Sequence, residues 1–191
     1  TLDLSSATLV NIERLELLGS TDPNRPNRSP VEIGLSLQQI NEVSTFAGIN
    51  RVSIKGGGQL DIQAIKDKGI LSWRIADDAD YDIVGTDSSE SISLQGGNND
   101  IELAGGNDSV TLQNIASANG NLDGGAGVDT LKINGQVIDL SAATVSNFEA
   151  MTVRADTLIM TAAQWGIFEG AITRAVGSNT KFVLAAEATG S

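Results

Sequence analysis

The 191-residue chain contains no cysteine and no histidine. Disulfide staples, thiol catalysis, zinc sites of the usual ligand types and imidazole acid–base chemistry are thereby excluded. Aromatic residues make up only 4% of the sequence against 40% hydrophobic residues, so the core must be built from Ile, Leu, Val and Ala. Such a core suits thin sheet layers better than a bulky globular interior. No apolar run is long enough for a membrane-spanning helix. All three prolines fall between Ser20 and Pro30, a stretch that reads as a surface loop with Arg25 and Arg28 in solvent.

Basic residues are missing from the middle of the chain. Between Ile75 and Leu131 there is no Lys or Arg, while eleven acids are present: Asp77, Asp78, Asp80, Asp82, Asp87, Glu90, Asp100, Glu102, Asp108, Asp123 and Asp129. They account for −11 of a net charge of −12. Nucleic acid is not expected as a partner, because phosphate binding needs clustered Lys and Arg. Eleven uncompensated acids call for either a solvated face or a cation. A carboxylate pair of the glycosidase kind stays open. Apart from Tyr81, no Lys, Arg, His or Tyr accompanies these acids, so the chain reads as non-enzymatic.

Gly85-Thr86-Asp87, Gly106-Asn107-Asp108 and Gly127-Val128-Asp129 stand 21 residues apart, twice in succession. Each is followed by an alternating apolar pair: Ile92 and Leu94, Val110 and Leu112, Leu131 and Ile133. A polar turn joined to a short strand at a fixed period predicts coils stacked on one another. Asp87, Asp108 and Asp129 are then expected in one column, about 4.8 Å apart. Such a column repels itself by about 1 kcal/mol per adjacent pair in water, and a cation between rungs turns that repulsion into ligation. Asp100 and Asp123, with Asn98, Asn99 and Asn121, are expected at a second corner. Asn and Asp ladders also cap such corners without metal. The run Asp78-Ala79-Asp80-Tyr81-Asp82 is not an EF-hand, having Ile83 where the loop needs Gly and Ser89 where it needs Glu, but its carboxylates can add ligands.

The sharpest motif is Gly124-Gly125-Ala126-Gly127-Val128-Asp129-Thr130-Leu131-Lys132, which matches GGxGxDxUx at every fixed position. Its glycines allow positive φ and bring carbonyls inward, and its carboxylate adds a hard oxygen ligand. Here the chain resembles the RTX, or haemolysin-type calcium-binding, repeat proteins. The copies at Gly96, Gly105 and Gly85 are shortened. The candidate calcium ligands are Asp78, Asp80, Asp82, Asp87, Asn99, Asp100, Gly106, Asn107, Asp108, Asp123, Gly125, Gly127 and Asp129. The resemblance implies an all-β fold, a parallel β-solenoid or β-roll (a right-handed β-helix) with a few short flanking helices, holding several Ca²⁺ ions.

The two ends of the chain resemble each other. Leu2–Leu17 aligns with Ile138–Val153 without a gap, with Asp3/Asp139, Leu4/Leu140, Ser5/Ser141, Ala7/Ala143, Thr8/Thr144, Asn11/Asn147 and Glu13/Glu149 identical. Further on, Gln39 falls near Gln164, Phe46 near Phe168 and Gly48 near Gly170. Leu37, Ile40, Val43 and Phe46 predict a short helix with Ser36 as N-cap. Strands are predicted around Gly56–Gly58 and over Ile70–Asp77. The expected plan is one elongated domain, 1–191, made of an N-terminal β module (1–63), the Gly/Asp ladder (64–136) and a C-terminal module like the first (137–191).

The chain opens in mid-pattern at Thr1 and is expected to be a piece of a longer protein. The family likeness implies type I secretion in unfolded form, folding on calcium outside the cell, and a structural role in a bacterial surface protein, either an adhesin or a surface-layer subunit. Its partners are then calcium and either itself, in a lattice or fibre, or a surface glycan. The alternative is an accessory or carbohydrate-binding module of a secreted RTX enzyme. A third reading is a metal-free β-helix with a sugar groove around Trp73 or Trp165; otherwise each tryptophan fills a core gap.

Overall fold

The computed structural model describes residues 2–9, 12–16, 32–47, 51–70, 72–168, 170–177 and 179–186. The Pro-rich loop expected at Ser20–Pro30, and Gly48, lie outside these residues. The described chain is mostly short strands with three helices of six residues each: α1 (Leu37–Glu42), α2 (Ile62–Asp67) and α3 (Ala162–Ile167). None of these is long and apolar enough to cross a membrane.

All named strand pairs are parallel. One sheet runs Leu2–Asp3, Glu32–Ser36, Arg51–Lys55, Trp73–Ile75. A second runs Gly58–Asp61, Tyr81–Val84, Asp100–Glu102, Gly120–Asp123, Ala143–Ser146. A third runs Ser91–Leu94, Ser109–Gln113, Thr130–Asp139, Ala150–Thr161, Ile172–Arg174, and Lys181–Ala185 also pairs with Ala150–Thr161. Two smaller sheets join Gly105–Gly106 to Ala126–Gly127 and Arg14–Glu16 to Thr45–Ala47.

Alternation in the sequence explains the stacking. In Ser91-Ile92-Ser93-Leu94, Ser109-Val110-Thr111-Leu112, Thr130-Leu131-Lys132-Ile133 and Ala150-Met151-Thr152-Val153 the apolar residues share one face. Register places Ile92, Val110, Leu131 and Met151 in one row and Leu94, Leu112, Ile133 and Val153 in the next, every one buried. Leu60, Ile83, Ile101, Leu122 and Val145 form the facing row. Each such side chain contributes about 1.5–3 kcal/mol of burial, and the rows join one apolar cluster running from Ile33 to Phe168.

The strands do not return at a constant step. In the third sheet the steps are 18 (Ser91↔Ser109), 21 (Ser109↔Thr130) and 20 residues (Thr130↔Ala150). The uniform 21-residue ladder is therefore corrected. It holds from Asp108 to Asp129 but not from Asp87 to Asp108, because the apolar pairs set the register and Ile92/Leu94 stand 18 residues before Val110/Leu112.

The duplication seen in sequence recurs as structure. Leu2↔Ile33 and Asp3↔Gly34 at one end match Ile138↔Leu158 and Asp139↔Ile159 at the other. Ser36 and Gln39 form a capping box on α1, and Thr161 and Gln164 form the same box on α3. The Gln39 amide donates to the carbonyls of Leu4 and Ala7, as that of Gln164 donates to Leu140 (2.7 Å) and Ala143 (2.8 Å). Aligned on these glutamines, Phe168 matches Val43, each being its helix's C-cap, and not Phe46 as the looser alignment had it. Gln164→Leu removes the side-chain donor from both carbonyls, that of Leu140 keeping only Ala143 N (2.9 Å), and is expected to cost about 1–3 kcal/mol, read as a lower urea midpoint.

Two elements differ from expectation. Helix α1 ends at Glu42, short of Phe46. Helix α2 stands where a strand was expected, because Leu60 and Ile62 alternate as a strand would; Asp61 accepts from Ala64 N (2.9 Å) as N-cap, and Ile62 and Ile65 bury one face.

Candidate metal centre

The corner leading into the third sheet is built successively by Gly85–Glu90, Gly105–Asp108, Gly124–Asp129 and Asn147–Glu149, with Lys66 of α2 reaching its first member. Four acids line up along it, one just before each of four neighbouring strands of the third sheet: Glu90, Asp108, Asp129 and Glu149. Glu90 N donates to Asp108 Oδ1 (2.6 Å), Asp108 N to Asp129 Oδ1 (2.6 Å), and Asp129 N to Glu149 Oε2 (2.7 Å). The backbone continues the ladder, with Ser109 N donating to Glu90 O (3.0 Å) and Thr130 N to Asp108 O (2.9 Å).

The middle of the column is dry. Asp108 is 2% exposed and Asp129 is fully buried. Each carboxylate uses one oxygen on a backbone N–H. The other, Asp108 Oδ2 and Asp129 Oδ2, is buried without any hydrogen-bond partner, as is the hydroxyl of Ser109. An unsatisfied buried carboxylate oxygen carries a large desolvation cost. Burial pushes the Asp108 carboxyl above the usual carboxylate range; the N–H of Glu90 opposes this, and the charges of Glu90 and Asp129 reinforce it. Asp129 is pushed the same way, first by burial, then by Glu149 and Asp123, against the N–H of Asp108.

Glycines let neighbouring stretches of backbone approach closely at this corner. A Cβ on Gly125 would stand 1.5 Å from the carbonyl oxygen of Leu103, and one on Gly127 1.5 Å from that of Gly106. Both glycines have positive φ (+85° and +150°). Gly127→Ala is expected to lose about 2–4 kcal/mol through strain and clash. Gly166→Ala, in α3 with open space around it, should gain about 0.5–1 kcal/mol in the same melts.

The other candidate ligands are already engaged or stand apart. Asp87 lies beside Gly105, outside the column; Glu90 holds the place expected for it. Asn107 Oδ1 accepts from Val128 N (3.0 Å), and Gly106 pairs with Gly127 in the two-stranded sheet. At the second corner Asp80 Oδ1 accepts from Asn98 N (2.6 Å), and Asn119 Nδ2 donates to Asn98 Oδ1 (2.8 Å). Buried Asn99 accepts from Tyr81 N and donates to the carbonyls of Gly96 and Gly97. Asp78 packs against Gly96. Asp82 and Asp100 are neighbours in register. Asp100 and Asp123 do not share a column: Asp100 Oδ1 accepts from Asn121 N (2.8 Å), whereas Asp123 pairs in register with Glu102 and accepts from Gly125 N and Asn147 Nδ2. This corner is an Asn/Asp capping ladder, with no unpartnered buried side-chain atom among the described residues.

Among the described residues no three His, Cys, Asp or Glu side chains converge on one point. A cation at Asp108 and Asp129 therefore needs carbonyl, hydroxyl or water oxygens to complete its shell, which hard cations accept. Trp73 is half-buried against the core, and Trp165, 37% exposed, meets Phe182 edge-on at 5.2 Å. No protein-family model, curated protein or solved structure matches the chain.

Proposed function

We propose that this chain is a calcium-stabilised β-solenoid module of RTX type, with a structural role in a secreted bacterial surface protein. Three parallel sheets whose strands recur at steps of 18–24 residues, apart from the 31-residue step Leu2↔Ile33, support the solenoid. The observation that carries the calcium reading is the pair of buried, unpartnered oxygens, Asp108 Oδ2 and Asp129 Oδ2, at a corner lined with glycines and backbone carbonyls. Calcium bound there supplies positive charge to both carboxylates and accepts an irregular oxygen shell. Asp108 and Asp129 would hold it, with further backbone, hydroxyl or water oxygens needed to complete the shell.

The role follows from the energetics. The acidic span has few large side chains and no internal cation between Ile75 and Leu131, so chain entropy and self-repulsion oppose its order. Metal binding then becomes part of the folding free energy. The module is loose where calcium is scarce and stiff where it is plentiful, which suits a spacer or lattice element assembled outside the cell. Circular dichroism of the strand signal in calcium and in chelator tests the reading; an unchanged signal and melting temperature would remove it.

A further inference from the structure

The column of four acids ends in a lysine. Lys66, in the last turn of α2, places Nζ 2.7 Å from Glu90 Oε1 and 3.3 Å from Thr86 Oγ1. Thr86 adds its own hydroxyl (2.6 Å to Oε1) and its N–H (3.1 Å to Oε2). The Glu90 side chain is 3% exposed, yet both its oxygens are satisfied. Asp108 and Asp129, in the next two coils, are equally buried and have one bare oxygen each. At the far end Glu149 is exposed and accepts from Asp129 N.

The three buried carboxylates thus differ in what is stacked before them. Before Glu90 stands α2, which delivers an ammonium group. Before Asp108 and Asp129 stand the turns Gly85–Glu90 and Gly105–Asp108, which hold no Lys or Arg. We propose that Lys66 is the chain's own cation for this column: it occupies at Glu90 the place a divalent ion takes at Asp108 and Asp129. The coil at Glu90 then folds without metal and gives the next coils a preformed template, and metal filling starts at Asp108. This rests on the calcium reading above and sets where calcium binding stops.

The test uses the full chain, its Lys66→Met variant and the Lys66→Met/Glu90→Gln double variant, with calcium as the probe. Met keeps the helix propensity and length of Lys without its charge. In calcium-free buffer Lys66→Met should melt about 5 °C or more below the parent, because Glu90 becomes a buried, unpaired charge. Calcium should restore it, and its calorimetric isotherm should gain one site over the parent. The added Glu90→Gln should restore calcium-free melting and remove the extra site. A Lys66→Met isotherm with the parent's site count overturns the proposal, whatever the melting shows, since Lys66 is then an ordinary ion-pair partner. A parent that binds no calcium overturns the calcium reading and this inference with it, so the two failures are told apart by the parent's own isotherm.

Discussion

Asp129→Asn is expected to have opposite effects on stability in the absence and presence of calcium. In calcium-free buffer it removes a fully buried carboxylate whose second oxygen has no partner, and the melting temperature should rise by about 5 °C. The retained Oδ1 still accepts from Asp108 N. In millimolar calcium the same change should remove a ligand of the proposed ion, and melting should fall by about 10 °C relative to the parent. Asp108→Asn should behave alike. A purely structural aspartate would lower stability in both buffers. The pH dependence has a definite sign as well. The folded-state pKa values of Asp108 and Asp129 are raised, so their contribution to stability is full below the unfolded carboxylate pKa and is lost as pH rises through the folded values. Asp3, held low by Lys55, and Glu32, held low by Ser53 and Arg74, act in the opposite sense, their contribution being lost as pH falls through their lowered values. The calcium-free parent should therefore gain stability as pH falls from 7 toward about 4.5, a trend that Asp129→Asn should weaken.

Calcium removal should loosen one part of the molecule far more than the rest. At a free calcium concentration a thousand times the dissociation constant, each ion adds about 4 kcal/mol. Hydrogen exchange of strands Ser109–Gln113 and Thr130–Asp139 should accelerate by about a thousandfold in chelator. Strands Glu32–Ser36 and Arg51–Lys55 should change little. Their acids already have partners: Asp3 is paired with Lys55 (2.5 Å), and Glu32 with Arg74 (2.6 Å). Uniform acceleration along the chain would place the calcium effect elsewhere.

Much of this was visible in the sequence. Alternating apolar pairs gave the strands, Ser36 gave the start of α1, and the repeated Asp-Leu-Ser-x-Ala-Thr gave a duplicated unit whose cap and buried glutamine recur in three dimensions. Asp108 and Asp129 stood out because both follow glycine turns. What failed was alignment on the glycines. Turn length varies from one strand to the next, since a turn can lose residues at little cost, whereas an apolar row cannot slip without turning its side chains to the other face. Ile92/Leu94 against Val110/Leu112 carried the 18-residue step, and following it would have put Glu90 in the column in place of Asp87. Lys66 was not legible. Its role depends on α2, where strand-like alternation of Leu60 and Ile62 hides a helix fixed by the Asp61 cap and the burial of Ile65.

The most direct test is a crystal structure grown in calcium, with an anomalous difference map recorded at long wavelength. The account predicts ion peaks about 2.4 Å from Asp108 Oδ2 and Asp129 Oδ2, with Lys66 and no peak beside Glu90. A map with calcium in the crystal and no peak at either aspartate oxygen would contradict it.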